Sequence, residues 1–74
     1  MYAEQFPAKL KEARKYFGFS QAEVARELKI PPSTLANYEL GRTQPDIEML
    51  GRLAVFYNVS LNWLIGTGEG RTPK

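Results

Sequence analysis

From Ser20 to Glu39 the chain reads SQAEVARELKIPPSTLANYE, a stretch that leaves few alternatives to two short helices joined by a tight turn. Ser20 followed three residues later by Glu23 is a capping box. The serine hydroxyl accepts from the Glu23 N–H while the carboxylate reaches back to the Ser20 N–H. Val24, Ala25 and Leu28 then share one helical face. Lys29, Ile30 and Pro31 interrupt that helix, and the Pro32 ring has the geometry of a first helical position. The second helix turns Leu35 and Tyr38 inward and leaves Ser33, Thr34, Ala36 and Asn37 outside. A pair of this size has the right shape to lay its second helix in a DNA major groove.

Three further helices complete the pattern. Phe6, Leu10, Ala13 and Phe17 fall four, three and four apart, one face of a helix from about Phe6 to Phe17. Pro7 suits its first turn, and Gly18 is placed to end it in a left-handed conformation. Gly41 terminates the third helix, and Arg42 to Pro45 form a polar loop. Asp46 caps a fourth helix to about Tyr57, with Leu50, Leu53, Ala54 and Tyr57 facing the core. Asn58 ends it, Ser60 caps a short fifth helix with Leu61 and Leu64 inward, and Gly66 closes that helix. No strand pattern appears. The expected architecture is all-α, a compact five-helix domain over residues 1–66 followed by a flexible tail over 67–74.

Composition removes several function classes. With 74 residues there is one domain, near the lower size limit for a core without staples. No cysteine is present, so a disulfide framework or thiolate metal site is impossible; no histidine is present either, which removes the usual general base and the commonest metal ligand. Carboxylates such as Asp46 and Glu48 have a better account as helix-start residues than as catalysts. No catalysis, metal or cofactor is therefore expected. The longest run of hydrocarbon side chains, Leu53 to Phe56, is far too short to span a bilayer, and no signal peptide or lipid motif appears. A soluble, cytoplasmic chain with no membrane partner is expected. Ten Lys plus Arg against eight Asp plus Glu make a mildly basic protein, an excess that does not by itself predict a nucleic-acid partner.

The ordered series of residues resembles the small helix-turn-helix domain of phage repressors, Cro proteins and xenobiotic-response-element-like bacterial regulators. It comprises Ser20-Gln21-Ala22-Glu23-Val24-Ala25, Leu28, Ile30, Ser33-Thr34-Leu35, Tyr38-Glu39, Gly41-Arg42 and Pro45. Leu53-Ala54, Val59-Ser60-Leu61 and Leu64 continue it, so the likeness runs from about Leu10 to Ile65. The resemblance implies a lambda-repressor-like fold and a role in binding double-stranded DNA, with the third helix as recognition helix. It also implies that Gln21 sets its amide against the DNA backbone, and that Arg14 pairs with Glu39 to fix the angle of that helix. The alternative for Arg14 and Glu39 is two solvated charges worth little.

Within that frame Pro32, Ser33, Ala36 and Asn37 are the candidates for base contact. Asn37 can pair bidentately with adenine, Ser33 can donate or accept, and Ala36 can meet a thymine methyl. Backbone phosphates are expected to meet Ser20, Gln21, Arg42 and Thr43, with Gln44 as readily a solvated loop residue. Thr34 either bonds phosphate or fills space beside Leu35. One departure stands out: many relatives carry Gln, Arg or Lys at the position of Pro32 and a capping hydroxyl at that of Pro31. Two prolines there weaken direct readout and leave more to DNA shape.

A single small domain contacts too few base pairs for genomic specificity, so a homodimer on a near-palindrome is expected. Val55, Phe56, Trp63 and Ile65 are its candidate interface residues, Trp63 foremost; the alternative is that Trp63 closes over the core. The expected function is a sequence-specific regulator of transcription, a repressor. Two rivals share the residues: an antitoxin that binds a toxin partner and represses its own operon, and a protein-interaction module without DNA binding.

Overall fold

The computed structural model describes residues 5–65; Gly66 and the tail expected over 67–74 lie outside them. Five helices follow in order: α1 (Phe6–Tyr16), α2 (Gln21–Leu28), α3 (Pro32–Leu40), α4 (Ile47–Tyr57) and α5 (Leu61–Leu64). No strand occurs among the described residues. None of their helices is long and apolar enough to cross a membrane.

Local chemistry explains where each helix starts. Pro7 lies in the first turn of α1 and Pro32 opens α3, where a missing N–H costs nothing. The capping box of α2 is complete, with Glu23 N–H donating to Ser20 Oγ at 3.0 Å and Ser20 N–H to Glu23 Oε1 at 2.8 Å. Asp46 accepts from Met49 N–H at 2.9 Å, and Ser60 accepts from Trp63 N–H at 2.9 Å.

The first four helices end alike. At each end one N–H reaches back five residues while its predecessor reaches back three, the paired bonds of a Schellman motif. The left-handed residue that makes each reversal possible is Gly18, Lys29, Gly41 or Asn58. Lysine at φ 62° has no side-chain reason to be there, and the strain is held by bonds from Lys29 and Ile30 to Arg26 and Ala25. The motif usually packs its following residue onto the helix. Phe19, Ile30 and Val59 do so and join the hydrophobic core; the fourth is Arg42.

Phe6, Leu10 and Ala13 of α1, Val24 and Leu28 of α2, and Leu35 and Tyr38 of α3 meet Leu50, Leu53, Ala54 and Tyr57 of α4 in one core, closed by Val59, Trp63 and Leu64. Arg52 of α4 donates Nη2 to the terminal carbonyl of α2, Leu28 O, at 2.7 Å, tying the two helices at an otherwise orphaned acceptor.

Two side chains, Phe17 and Leu61, depart from expectation, and Trp63 takes one of the two orientations left open. Phe17 falls just past the end of α1, its N–H still bonding Ala13 O at 3.4 Å, and is 42% exposed. It stacks instead at 6.2 Å from Phe19 and 6.4 Å from Tyr57. Trp63, for which an interface role and a lid over the core were both open, is only 6% exposed and sits beneath Lys9, whose Nζ lies 4.6 Å from the ring centroid. A core this small takes its largest side chain as a lid. Seating both Trp63 and Leu64 inward on a four-residue helix leaves Leu61 exposed, against the inward orientation expected.

Candidate nucleic-acid interface

Glu39, in the last turn of α3, is the hub that orients this helix. Arg14 of α1 donates Nε to Glu39 Oε2 at 2.8 Å and Nη2 to Glu39 Oε1 at 3.0 Å, a bidentate fork. Its remaining nitrogen, Nη1, donates to the Phe19 carbonyl at 2.9 Å. The Arg14 and Glu39 side chains are 11% and 3% exposed, so this is no solvated surface pair. Hydrogen bonding to the Glu39 carboxylate raises the Arg14 pKa above its ordinary value, against the opposing effect of burial. One guanidinium thus ties α1, the loop before α2 and the far end of α3.

A third donor, which the residue pattern did not reveal, completes the carboxylate: Gln21 Nε2 donates to Glu39 Oε1 at 3.0 Å. The bond fixes which way the amide points, since only its nitrogen can face a carboxylate. Gln21 keeps its second amide hydrogen, and the side chain is half-exposed at the start of α2. Ser20 is similarly divided. Its Oγ accepts from Glu23 within the capping box, leaving the hydroxyl proton available to an outside acceptor. The box also uses the backbone N–H groups of Ser20 and Glu23, so Gln21 and Ala22 are those of the first turn that it does not use.

On α3, Pro32 and Ser33 are exposed while Thr34, Ala36 and Asn37 are half-buried. The helix has no side-chain cap; Thr34 N–H instead bonds Pro31 O at 3.0 Å. Among the described residues, no hydrogen bond engages the Asn37 amide, the Ser33 hydroxyl or the Arg42 guanidinium. Arg42 is held through its backbone, its N–H bonding Asn37 O at 2.9 Å, and it occupies the one helix end whose following residue does not pack on the core. Arg42, Thr43 and Gln44 are all exposed. The structure therefore gathers the residues expected at DNA around the α2 start, the α3 face and the following loop, with an ion-pair lock at their back.

This arrangement, two helices in a tight pair with the second locked and presenting polar side chains, is the framework of a known family, whose helix-turn-helix profile matches residues 10–64. The chain belongs to the helix-turn-helix family. It is 43% identical over 61 residues to the HTH-type transcriptional regulator ImmR of Bacillus subtilis, covering 82% of this chain and 48% of that protein. With the cryptic phage CTXphi transcriptional repressor RstR of Vibrio cholerae it shares 31% identity over 64 residues, 86% of this chain and 58% of the repressor. A crystal structure of a transcriptional regulator from Listeria innocua superposes with a TM-score of 0.80 at 34% identity, covering 92% of this chain and 64% of that one. The chain spans about half the length of the curated relatives it matches. Those relatives are named as regulators of transcription and not as enzymes, in keeping with the expectation drawn from composition.

Proposed function

We propose that this helix-turn-helix chain is a sequence-specific, double-stranded-DNA-binding regulator of transcription, acting as a repressor. In this reading α3 enters the major groove, with Asn37 and Ser33 meeting base edges beside Ala36 and Pro32. Gln21, Ser20, Arg42 and Thr43 hold phosphates on either side, with Thr34 as a further candidate. The carrying observation is that Glu39 orders the Gln21 amide and the angle of α3 through one set of bonds, while the outward Asn37 and Arg42 groups find no partner among the described residues. Relatives named as phage and prophage regulators favour the repressor role. Two copies acting together would place their recognition helices in successive major grooves about 34 Å apart. With Trp63 taken by the core, the interface candidates that remain from the sequence are Val55, Phe56 and Ile65.

Selection of bound sequences from a random duplex pool tests this reading, since it reports binding, half-site length and spacing together. On the selected site, Asn37→Ala weakens binding by about 1–3 kcal/mol and relaxes one base pair per half-site. Arg42→Ala weakens all sequences alike and makes the salt dependence shallower by about one unit per subunit. A uniform loss from Asn37→Ala, or a changed preferred sequence from Arg42→Ala, contradicts these assignments. Failure to retain any duplex at low salt favours the protein-interaction module.

A further inference from the structure

The outward face of α4 carries a feature that neither the core nor the α3 face uses. Ile47, Gly51 and Val55 follow one another at four-residue spacing along it, and Ile47 and Val55 are 72% and 82% exposed. Two large apolar side chains are thus exposed two turns apart on one helical face, with only Gly51 between them, and such exposure calls for a cover. Gly51 sits mid-helix, where glycine is among the least favourable residues. Nothing among the described residues demands it, because a Cβ built there meets none of their heavy atoms within 4 Å. Beside it, Gly51 and Val55 line a shallow groove of about 550 Å³ together with Glu48, Arg52, Leu28 and Phe56.

Glu48 and Arg52 decide what fits. They stand four residues apart, the spacing of an intrahelical ion pair, yet no ion pair joins them among the described residues; Arg52 Nη2 is turned to Leu28 O. A face bearing one acid and one base beside an apolar stripe is complementary to itself in an antiparallel arrangement. Take a two-fold axis through Gly51, perpendicular to the plane of two facing helices. At a rise of about 1.5 Å per residue, Glu48 lies about 4.5 Å to one side of the axis and Arg52 about 1.5 Å to the other. The rotation reverses these positions while keeping both residues on the same flank. Glu48 of one copy and Arg52 of the other then differ by about 3 Å along the helices, well within side-chain reach, and the contact occurs twice.

We infer that two copies of this chain meet through α4, antiparallel, with Gly51 at the crossing and reciprocal Glu48–Arg52 pairs beside it. The absent side chain lets the helices approach closely, since interaxial distance follows the residues at the contact. Ile47 of each copy lies opposite Val55 of the other. This rests on and deepens the two-copy reading above, keeping Val55 from its candidates and centring the contact on the middle of α4.

The test is sedimentation equilibrium of the 74-residue chain without DNA, from micromolar to millimolar concentration, with folding followed by circular dichroism. Wild type is expected to self-associate. Gly51→Gln is expected to raise Tm by roughly 2–5 °C, through better helix propensity, while weakening association about tenfold or more. Glu48→Arg and Arg52→Glu each associate poorly alone, but an equimolar mixture forms a heterodimer in which both pairs are attractive. A monomeric wild type at millimolar concentration, or a Gly51→Gln protein that associates like wild type, overturns the inference. Because association is read without DNA, the duplex-retention result judges the regulator reading separately.

Discussion

Replacing Arg14 by Met removes both prongs of the fork on Glu39 and the donor on the Phe19 carbonyl while keeping much of the side-chain bulk. What remains on the 3%-exposed carboxylate is the single bond from Gln21. Removing one partner of a buried pair costs about 3–5 kcal/mol, mostly the burden of an uncompensated charge. A domain of this length has roughly 4–11 kcal/mol of stability in all, at about 0.05–0.15 kcal/mol per residue. The variant should therefore lose between roughly a quarter and all of that stability. At an m-value of about 1 kcal/mol/M in urea, the denaturation midpoint followed by far-ultraviolet circular dichroism falls by about 3 M or more. The double variant Arg14→Met/Glu39→Leu, which leaves no charge behind, recovers most of that loss. A midpoint shift for Arg14→Met below about 1 M would mean that the pair behaves as an exposed one and that something else sets the angle of α3.

The Tyr57 hydroxyl is buried with no hydrogen-bond partner among the described residues, and burial, with Glu39 adding to the effect, pushes its pKa well above the ordinary value of about 10. The folded state then holds the proton more tightly than the unfolded state, so this contribution is intact below about pH 10 and is lost as pH rises above it. Tyr57→Phe should be neutral or slightly stabilising at pH 7 and should flatten the alkaline fall in Tm; a loss of more than about 1 kcal/mol at pH 7 would reveal a partner for the hydroxyl. Lys29→Gly removes a left-handed lysine at φ 62° and should gain about 0.5–1 kcal/mol after the greater entropy of unfolded glycine is counted, read as a higher Tm. A lower Tm would show that the Lys29 side chain contributes more than its backbone strain costs.

The residues exposed their fold most clearly where a cause and its effect lie within one turn. Ser20 and Glu23, Asp46 and Met49, and Ser60 and Trp63 are each separated by three positions, so the caps are readable from spacing alone. Gly18, Gly41 and Asn58 carry a left-handed preference in their identity; Lys29 carries none, and its conformation comes from the turn around it. The α4 core face was legible because eleven residues give a period time to declare itself, whereas four residues of α5 do not: they left Trp63 open between core and interface and put Leu61 on the wrong side. Of the candidate site, Arg14 and Glu39 were reachable only through resemblance, being 25 positions apart. The Gln21 bond to Glu39 and the Arg52 bond to Leu28 O are convergences of packed helices, for which no local signal exists.

The two prolines that open α3 bear on how such a domain would read DNA. Pro31 offers no side-chain cap, and Pro32 offers neither a backbone nor a side-chain donor, so the helix start is poorer in hydrogen bonds than a polar sequence would make it. The same rings fix φ at two successive positions, and the other end of α3 is held by the Gly41 reversal and by three bonds on Glu39. A helix fixed at both ends loses little further freedom when it docks, and preorganisation of this kind strengthens binding without adding a contact. On the proposed reading, the α3 surface thus exchanges direct contacts for rigidity. Discrimination then falls to Asn37 and Ser33 at the base edges, and to the cost of fitting the duplex to a surface that does not yield.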